Sequence, residues 1–412
     1  MTTPNNMTRH ATAMHDEATT PRAEAGTPRV AADAPVRVLI VAPALDILGG
    51  QAVQAARLLA QLQREPALTV GFTPINPPFP SFLRRWQAIK YLRSIRTSVL
   101  YWWRLLADVR RFDVIHVFSA SYFSFLISPT PAVLVAKLFG KRVVLNYRSG
   151  EAEDHLQRWP SARRTLRRVD EIVVPSGYLV DVFARFGLRA RAIFNIVETA
   201  RFRFRTRRPL RPVFLSNRNL EPMYNVGCVL RAFALVQARH PQAQLTIAGD
   251  GSERTRLEQL ARELKLQHVN FIGRVAPERM PELLDAADIY LNASEIDNMP
   301  GSIIEAYAAG LPVVTTDAGG IPYIVTHEET GLLVPCGDAE SLAAGALRLL
   351  TDEEFAARLI ERARRACEQY SWPAVRGEWL KLYHELARGA GQVAAQAEGT
   401  DELLPISLNK QG

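Results

Sequence analysis

The sequence predicts two α/β domains, each a mainly parallel sheet covered by helices on both faces. Three observations carry that prediction. Runs of β-branched residues alternate with helical periodicity over most of residues 36–388, the pattern of strands buried on both faces and linked by crossover helices. The alternation breaks at RFRFRTRRPLRP (201–212), a basic, proline-broken stretch that reads as a linker, and then restarts. A chain of 412 residues, 48% hydrophobic and 22% charged, is globular in composition and too long for one core.

Residues 1–34 are polar with no apolar h-region, which predicts a disordered tail and not a signal peptide. The first strand is VRVLIVAP (36–43), followed by a loop and the helix of ILGGQAVQAARLLAQL, with Gly49-Gly50 ahead of its first turn. Strands at LTVGFTPI (68–75), FDVIHVFS (112–119), KRVVLNYRS (141–149) and EIVVPS (171–176) complete a first domain over 35–205. RPVFLSNR, AQLTIAGDG, VNFIGRV, ADIYLNAS and LPVVTTD supply a second over 206–370. A helix over 371–388 is expected to return to the first domain, with a flexible tail at 389–412. Two such domains face each other across a cleft at the carboxyl ends of their strands, where open α/β sheets hold ligands.

Composition excludes several classes. The three cysteines, Cys228, Cys336 and Cys367, are widely spaced and fit neither a disulfide framework nor a zinc site. The longest uncharged run, Val114 to Ala136, carries four serines and a Ser-Pro-Thr-Pro break, unlike a spanning helix. The net charge of +8 is uneven: 23 Lys+Arg against 10 Asp+Glu between Val36 and Asn195, but 16 against 24 between Pro212 and Leu386. A basic half suits an anionic partner, whether lipid headgroup or phosphorylated substrate. No groove-reading module accompanies it, so no nucleic-acid partner is expected.

ASEIDNMPGSIIEAYAAGLPVV (293–314) places Asp297 and Glu305 on either side of a Pro-Gly-Ser break that opens a helix. The N–H groups of that helix end attract a phosphate, and Pro300 and Gly301 allow close backbone approach. Glu305 can accept from a ribose diol and Asp297 from a second polyol. A phosphate between two sugars is a nucleotide-sugar. The bland alternative is a solvated helix start, since acids favour first turns; Gly49-Gly50 and Gly319-Gly320 likewise read as simple turns.

This acid, seven residues, acid pattern, with AYAAGLPVVTTDAGGIPYIV after it and IAGDGSERTRLEQLA and FIGRVAPERMPELLDAADIYLNAS before it, resembles the retaining glycosyltransferases of family 4. The resemblance extends to ILGGQAVQAARLLAQL, FDVIHVFS, EIVVPSGYL and NIVETARF and covers most of 36–388. It implies the GT-B fold, two Rossmann-like doubly wound parallel-sheet domains across a cleft, and transfer of a sugar from a nucleoside-diphosphate donor to a glycan or lipid-linked acceptor. Arg218, Asp297 and Glu305 are then the catalytic set. Asn298, Met299, Pro300, Gly301 and Ser302 bind donor, Gly249 and Asp250 line the base pocket, and Gly49, Gly50 and Arg148 form an acceptor or phosphate loop.

The chain departs from the resembling family at two places. Met223 and Tyr224 stand where a lysine usually follows the arginine, and Tyr147 or Arg148 where a histidine often follows VVLNYRSG. His155 is nearby, but a lone histidine is more often structural. With no Asp-x-Asp in the sequence, neither metal nor other cofactor is expected, only the sugar nucleotide as co-substrate. A nucleotide-sugar epimerase and a non-catalytic sugar-nucleotide binding protein remain alternatives. Finally, residues 77–111 hold eight Lys+Arg, one acid and five Trp/Tyr beside Phe79 and Phe82, chemistry suited to an anionic membrane surface. The expected location is cytoplasmic, peripheral at the inner membrane face.

Overall fold

A computed structural model describes residues 34–45, 50–77 and 90–401. The amino-terminal tail, Gly49 and most of the aromatic and basic stretch before Lys90, including Trp86 and Ile89, lie outside the described residues.

The first lobe is a parallel sheet of β1 (Val36–Ala42), β2 (Leu68–Pro74), β3 (Val114–Phe118), β4 (Arg142–Asn146), β5 (Glu171–Val174) and β6 (Arg191–Ala192), ordered β2-β1-β3-β4-β5-β6. The second holds β7 (Val213–Ser216), β8 (Gln244–Ala248), β9 (Val269–Gly273), β10 (Ile289–Asn292), β11 (Val313–Thr316) and β12 (Leu332–Val334), ordered β12-β11-β10-β7-β8-β9. Strands β1, β3, β10 and β11 are almost wholly buried, as the continuous apolar runs require. The two lobes are thus doubly wound but not identical. Strand order reverses next to β1 in the first lobe and between β7 and β10 in the second. Ligands of such sheets bind beyond the carboxyl ends at the reversal, and the chain following β7 carries Arg218 while that following β10 carries Asp297.

Helix Trp372–Asp401 crosses from the second lobe to the first, running on through part of the segment that composition assigned to a tail. Val375, Trp379, Leu382 and Tyr383 are buried among β1, β3 and β4 residues such as Val38, Ile40 and Phe118. Below them His116 lies 2.7 Å from the Tyr383 hydroxyl through Nδ1 and 3.0 Å from the Asn146 amide through Nε2. Burial and the nearby Arg148 charge depress its pKa to about 3, so the ring is neutral and links the crossing helix to the sheet.

The basic segment 201–212 is not a solvated linker. Arg207 is 4% exposed and donates to the carbonyls of Ala287 and Leu284 at 2.8 Å each. Asp288 accepts from Arg205 Nη2 at 2.8 Å and from Arg211 N, Nε and Nη2 at 2.7, 3.0 and 2.8 Å. Three arginines are thereby clamped to the second lobe around one buried carboxylate. Burial works against the charge on Asp288, but the bonds from Arg211 and Arg205 outweigh it and hold its pKa below the usual value. The stabilisation is therefore complete above the ordinary carboxylate pKa and is lost as pH falls through the depressed one. Asp288→Ala leaves Arg207 buried without a counterion, so urea unfolding at neutral pH is expected to show a loss of about 3–5 kcal/mol. The deficit relative to wild type should shrink on acidification.

Candidate active site in the interlobe cleft

Between the facing strand ends lies a cavity of about 450 Å³. Arg218, Asp297, Glu305, Asn298, Met299, Pro300, Gly301, Ser302, Gly50 and Arg148 all line it. Asp297 and Glu305 are only 11% and 14% exposed at their side chains, which rules out the solvated helix start.

Each acid meets an arginine. Arg218 Nη2 lies 2.5 Å from Asp297 Oδ2, and Nη1 donates to Ser302 Oγ at 3.3 Å. The Arg218 guanidinium sits 4.2 Å from the centre of the Tyr224 ring, so the residue at the missing lysine's place orients the arginine by stacking but adds no charge. Burial opposes the Arg218 charge; Asp297, together with the Tyr224 and Tyr290 hydroxyls, more than offsets it and raises its pKa. The other Asp297 oxygen accepts the Asn298 N–H at 2.9 Å. A carboxylate so engaged is a weak nucleophile and a fixed acceptor.

Glu305 lies in helix Gly301–Ala309 and is reached from the opposite lobe by Arg57 of helix Gly50–Leu62, Nη2 to Oε1 at 3.2 Å. Arg57 also donates to the Ile196 carbonyl at 3.1 Å. Burial pushes the Glu305 pKa up, and Arg57 opposes the rise. Arg57 was not singled out by sequence reasoning. Its signal is that it alone carries charge in GQAVQAARLLAQL.

Arg148 follows β4, lies over the Phe118 ring at 5.1 Å and donates to Asn195 Oδ1. Burial lowers its pKa to about 9, so it remains charged at neutral pH. Its Nε has no partner, and no carboxylate pairs with it among the described ion pairs. Of the two candidates for the missing histidine's place, Arg148 lines the cavity and Tyr147 is core, bonded to buried His155 at 2.7 Å. His155 does not line the cavity.

The Pro-Gly-Ser break does open a helix, beginning at Gly301 after Pro300. The Ile303 N–H is taken by the Pro300 carbonyl at 3.2 Å, so the amides left for an anion are those of Gly301 and Ser302. The loop before it is held from the first lobe: Ser176, the N-cap of helix Gly177–Arg185, donates to Asn298 Oδ1, and the Asn195 amide donates to the Met299 carbonyl at 3.4 Å.

Gly319-Gly320 is more than a turn. Gly320 N–H donates to the Asp297 carbonyl at 3.0 Å. A Cβ on Gly320 would stand 1.9 Å from the Asn298 carbonyl oxygen, and one on Gly319 (φ +50°) 2.2 Å from that of Asp297. Gly249 and Asp250 do not line the cavity. Gly249 (φ +156°) lets the end of β8 pass behind Arg218, whose carbonyl would lie 2.1 Å from a Cβ there, and the Asp250 carbonyl accepts the Leu220 N–H at 3.1 Å. They shape the arginine's loop from behind.

Two Rossmann-like lobes facing across a cleft define a GT-B protein. Residues 37–201 match the family described as Glycosyltransferase Family 4, and residues 198–366 match Glycosyl transferases group 1; the chain belongs to the GT-B group 1 glycosyltransferases. It is 33% identical over 172 residues to N-acetyl-alpha-D-glucosaminyl L-malate synthase of Bacillus anthracis, a match spanning 41% of this chain and 44% of that protein. Sucrose-phosphate synthase of Thermosynechococcus elongatus shares the fold at a TM-score of 0.69 and 20% identity, covering 86% of this chain and 100% of that one. Anabaena HepE, solved with UDP and glucose, aligns at a TM-score of 0.65 and 17% identity, over 84% and 99% of the two chains.

Proposed function

We propose that this protein is a retaining, metal-independent glycosyltransferase that moves a sugar from a nucleoside-diphosphate donor to a glycan or lipid-linked acceptor at the cytoplasmic face of a membrane. The observation that carries this reading is the meeting of Arg218, Asp297, Glu305 and the Gly301 helix end in one cavity. The diphosphate lies against the Gly301 and Ser302 amides and the Arg218 guanidinium, with Arg148 supplying the charge that Tyr224 cannot. Glu305 accepts from the ribose hydroxyls, and Asp297 from the transferred sugar. HepE, with UDP and glucose bound, supports a donor of this kind.

As the bond from the anomeric carbon to the phosphate oxygen breaks, negative charge grows on the diphosphate and positive charge on the sugar. Fixed cations and amides stabilise the first because they need not reorganise. The acceptor oxygen bonds to the face the phosphate leaves, and its proton passes to the departing phosphate oxygen. Asp297, held by Arg218 and its neighbouring amide, positions the sugar and does not attack.

A second cavity of about 580 Å³ adjoins the first at Gly150, Ile296 and Asp297. Tyr122, Glu151, Asp154, Tyr178 and Glu295 line it. Carboxylates there repel phosphate, which favours a neutral, hydroxyl-rich acceptor end beside Asp297.

Incubation with UDP-, GDP- and ADP-sugars in EDTA, followed by NMR of the product's anomeric centre, tests the reading. Retained configuration is expected for one donor. An inverted product refutes retention, epimerised donor without acceptor points to an epimerase, and binding without turnover to a binding protein.

Glu305→Ala is expected to weaken donor binding about tenfold or more in calorimetric titration, as hydrogen bonds to a charged acceptor contribute about 1.5–3 kcal/mol. Because only the carboxylate accepts from both hydroxyls, wild-type affinity should decline as pH falls through the raised Glu305 pKa, and Glu305→Gln should remove that decline.

A further inference from the structure

Helix Lys90–Asp108 is apolar on two faces. Tyr101 and Leu105 point inward at 1% and 0% exposure. Val99, Trp102, Trp103 and Leu106, spaced i, i+3, i+4 and i+7, form a second stripe that meets Phe123 and Ile127 across a groove of about 570 Å³. Trp103 is 70% and Phe123 64% exposed, a cost in water that a monomer seldom carries without use. Leu134 and Leu138 of helix Pro129–Leu138 are also exposed.

We infer that this groove docks the protein on an anionic lipid bilayer. Charge chooses lipid over a protein partner. Residues 77–111 carry eight Lys+Arg and one acid, and that acid, Asp108, is turned inward to accept from the Thr73 hydroxyl at 2.8 Å. Arg104, Arg110 and Arg111 are exposed on or just beyond the same helix, where guanidinium heads can reach lipid phosphates while indole rings enter the headgroup boundary. Among the described residues no helix is long and apolar enough to cross a membrane.

The surface also adjoins the chemistry. Tyr122 lines the acidic cavity beside Asp297, and the next residue, Phe123, lines the apolar groove. A bilayer held at Phe123 therefore presents lipid-anchored hydroxyls to the acceptor side of the cleft. This last step rests on the proposed transfer reaction; the docking surface does not, and a chain that turned over no sugar nucleotide would still bind vesicles.

Flotation with vesicles of phosphatidylcholine alone, or mixed with phosphatidylglycerol, tests the inference on the full chain. Binding is expected to the mixed vesicles, with a blue shift of tryptophan fluorescence. Trp103→Gln should lower partitioning about tenfold, and Arg104→Glu with Arg111→Glu should do so about tenfold on mixed vesicles only. Unchanged thermal melting of the charge variant, whose side chains are exposed, shows that the loss is not unfolding. Failure of the wild type to float, equal partitioning on both vesicles, or a dimer in sedimentation that Trp103→Gln dissolves would overturn the assignment.

Discussion

Arg218→Ala is expected to lower turnover by roughly 10²–10³-fold, the range seen when one preorganised donor is removed from a developing anion. Arg218 touches both Asp297, placed by the proposed reaction on the sugar side, and Ser302, at the helix end proposed to hold the diphosphate. Removing it leaves Asp297 without its counterion, so a stability loss accompanies the variant. Arg218→Lys separates the two effects. It keeps the charge beside Asp297 and most of the stability, but loses the planar fork and the stacking on Tyr224, so turnover should still fall about tenfold. A lysine variant as fast as wild type would show that the fork geometry does nothing for the reaction.

Gly320→Ala should cost about 10² in turnover although Gly320 lies behind the cavity wall and does not line it. The new methyl would stand 1.9 Å from the Asn298 carbonyl oxygen, a distance no real Cβ tolerates, and the backbone that gives way carries Asp297 and Asn298. The accompanying stability loss is expected near 1–3 kcal/mol, the usual cost of overpacking. Gly377→Ala is the control: nothing lies within 4 Å of a Cβ there, it sits within helix Trp372–Asp401, and alanine should stabilise by up to about 1 kcal/mol. Comparing kcat and melting temperature across the pair separates displacement of the acid loop from general loosening.

These variants show where sequence and structure part. The strands were readable because long β-branched runs are buried on both faces, and Arg218 and Asp297 came with them because each follows such a strand. Strands β6 and β12, of two and three residues, are too short to carry a period. Strand order is equally silent in a linear pattern, so the two lobes read alike while their reversals differ.

Arg57 was missed because its direction depends on how the first lobe meets the second, which helical periodicity does not encode. Arg207 was misread for a related reason. A basic, proline-broken run looks solvated until Asp288, more than 70 positions later, folds against it. The glycines at 319–320 looked like a simple turn, and Gly249 like part of a base pocket. Their real constraint is the passage of another backbone within a methyl's radius, which only the folded chain reveals.

The proposed reaction requires that a diphosphate be held by Arg218 and the Gly301 helix end. Calorimetric titration of a nucleoside diphosphate and the matching monophosphate into wild type and Arg218→Lys tests it most directly. The diphosphate should bind wild type at least tenfold more tightly than the monophosphate, and Arg218→Lys should erase most of that difference. Equal binding of both nucleotides to wild type, or a preference that survives the substitution intact, would contradict it.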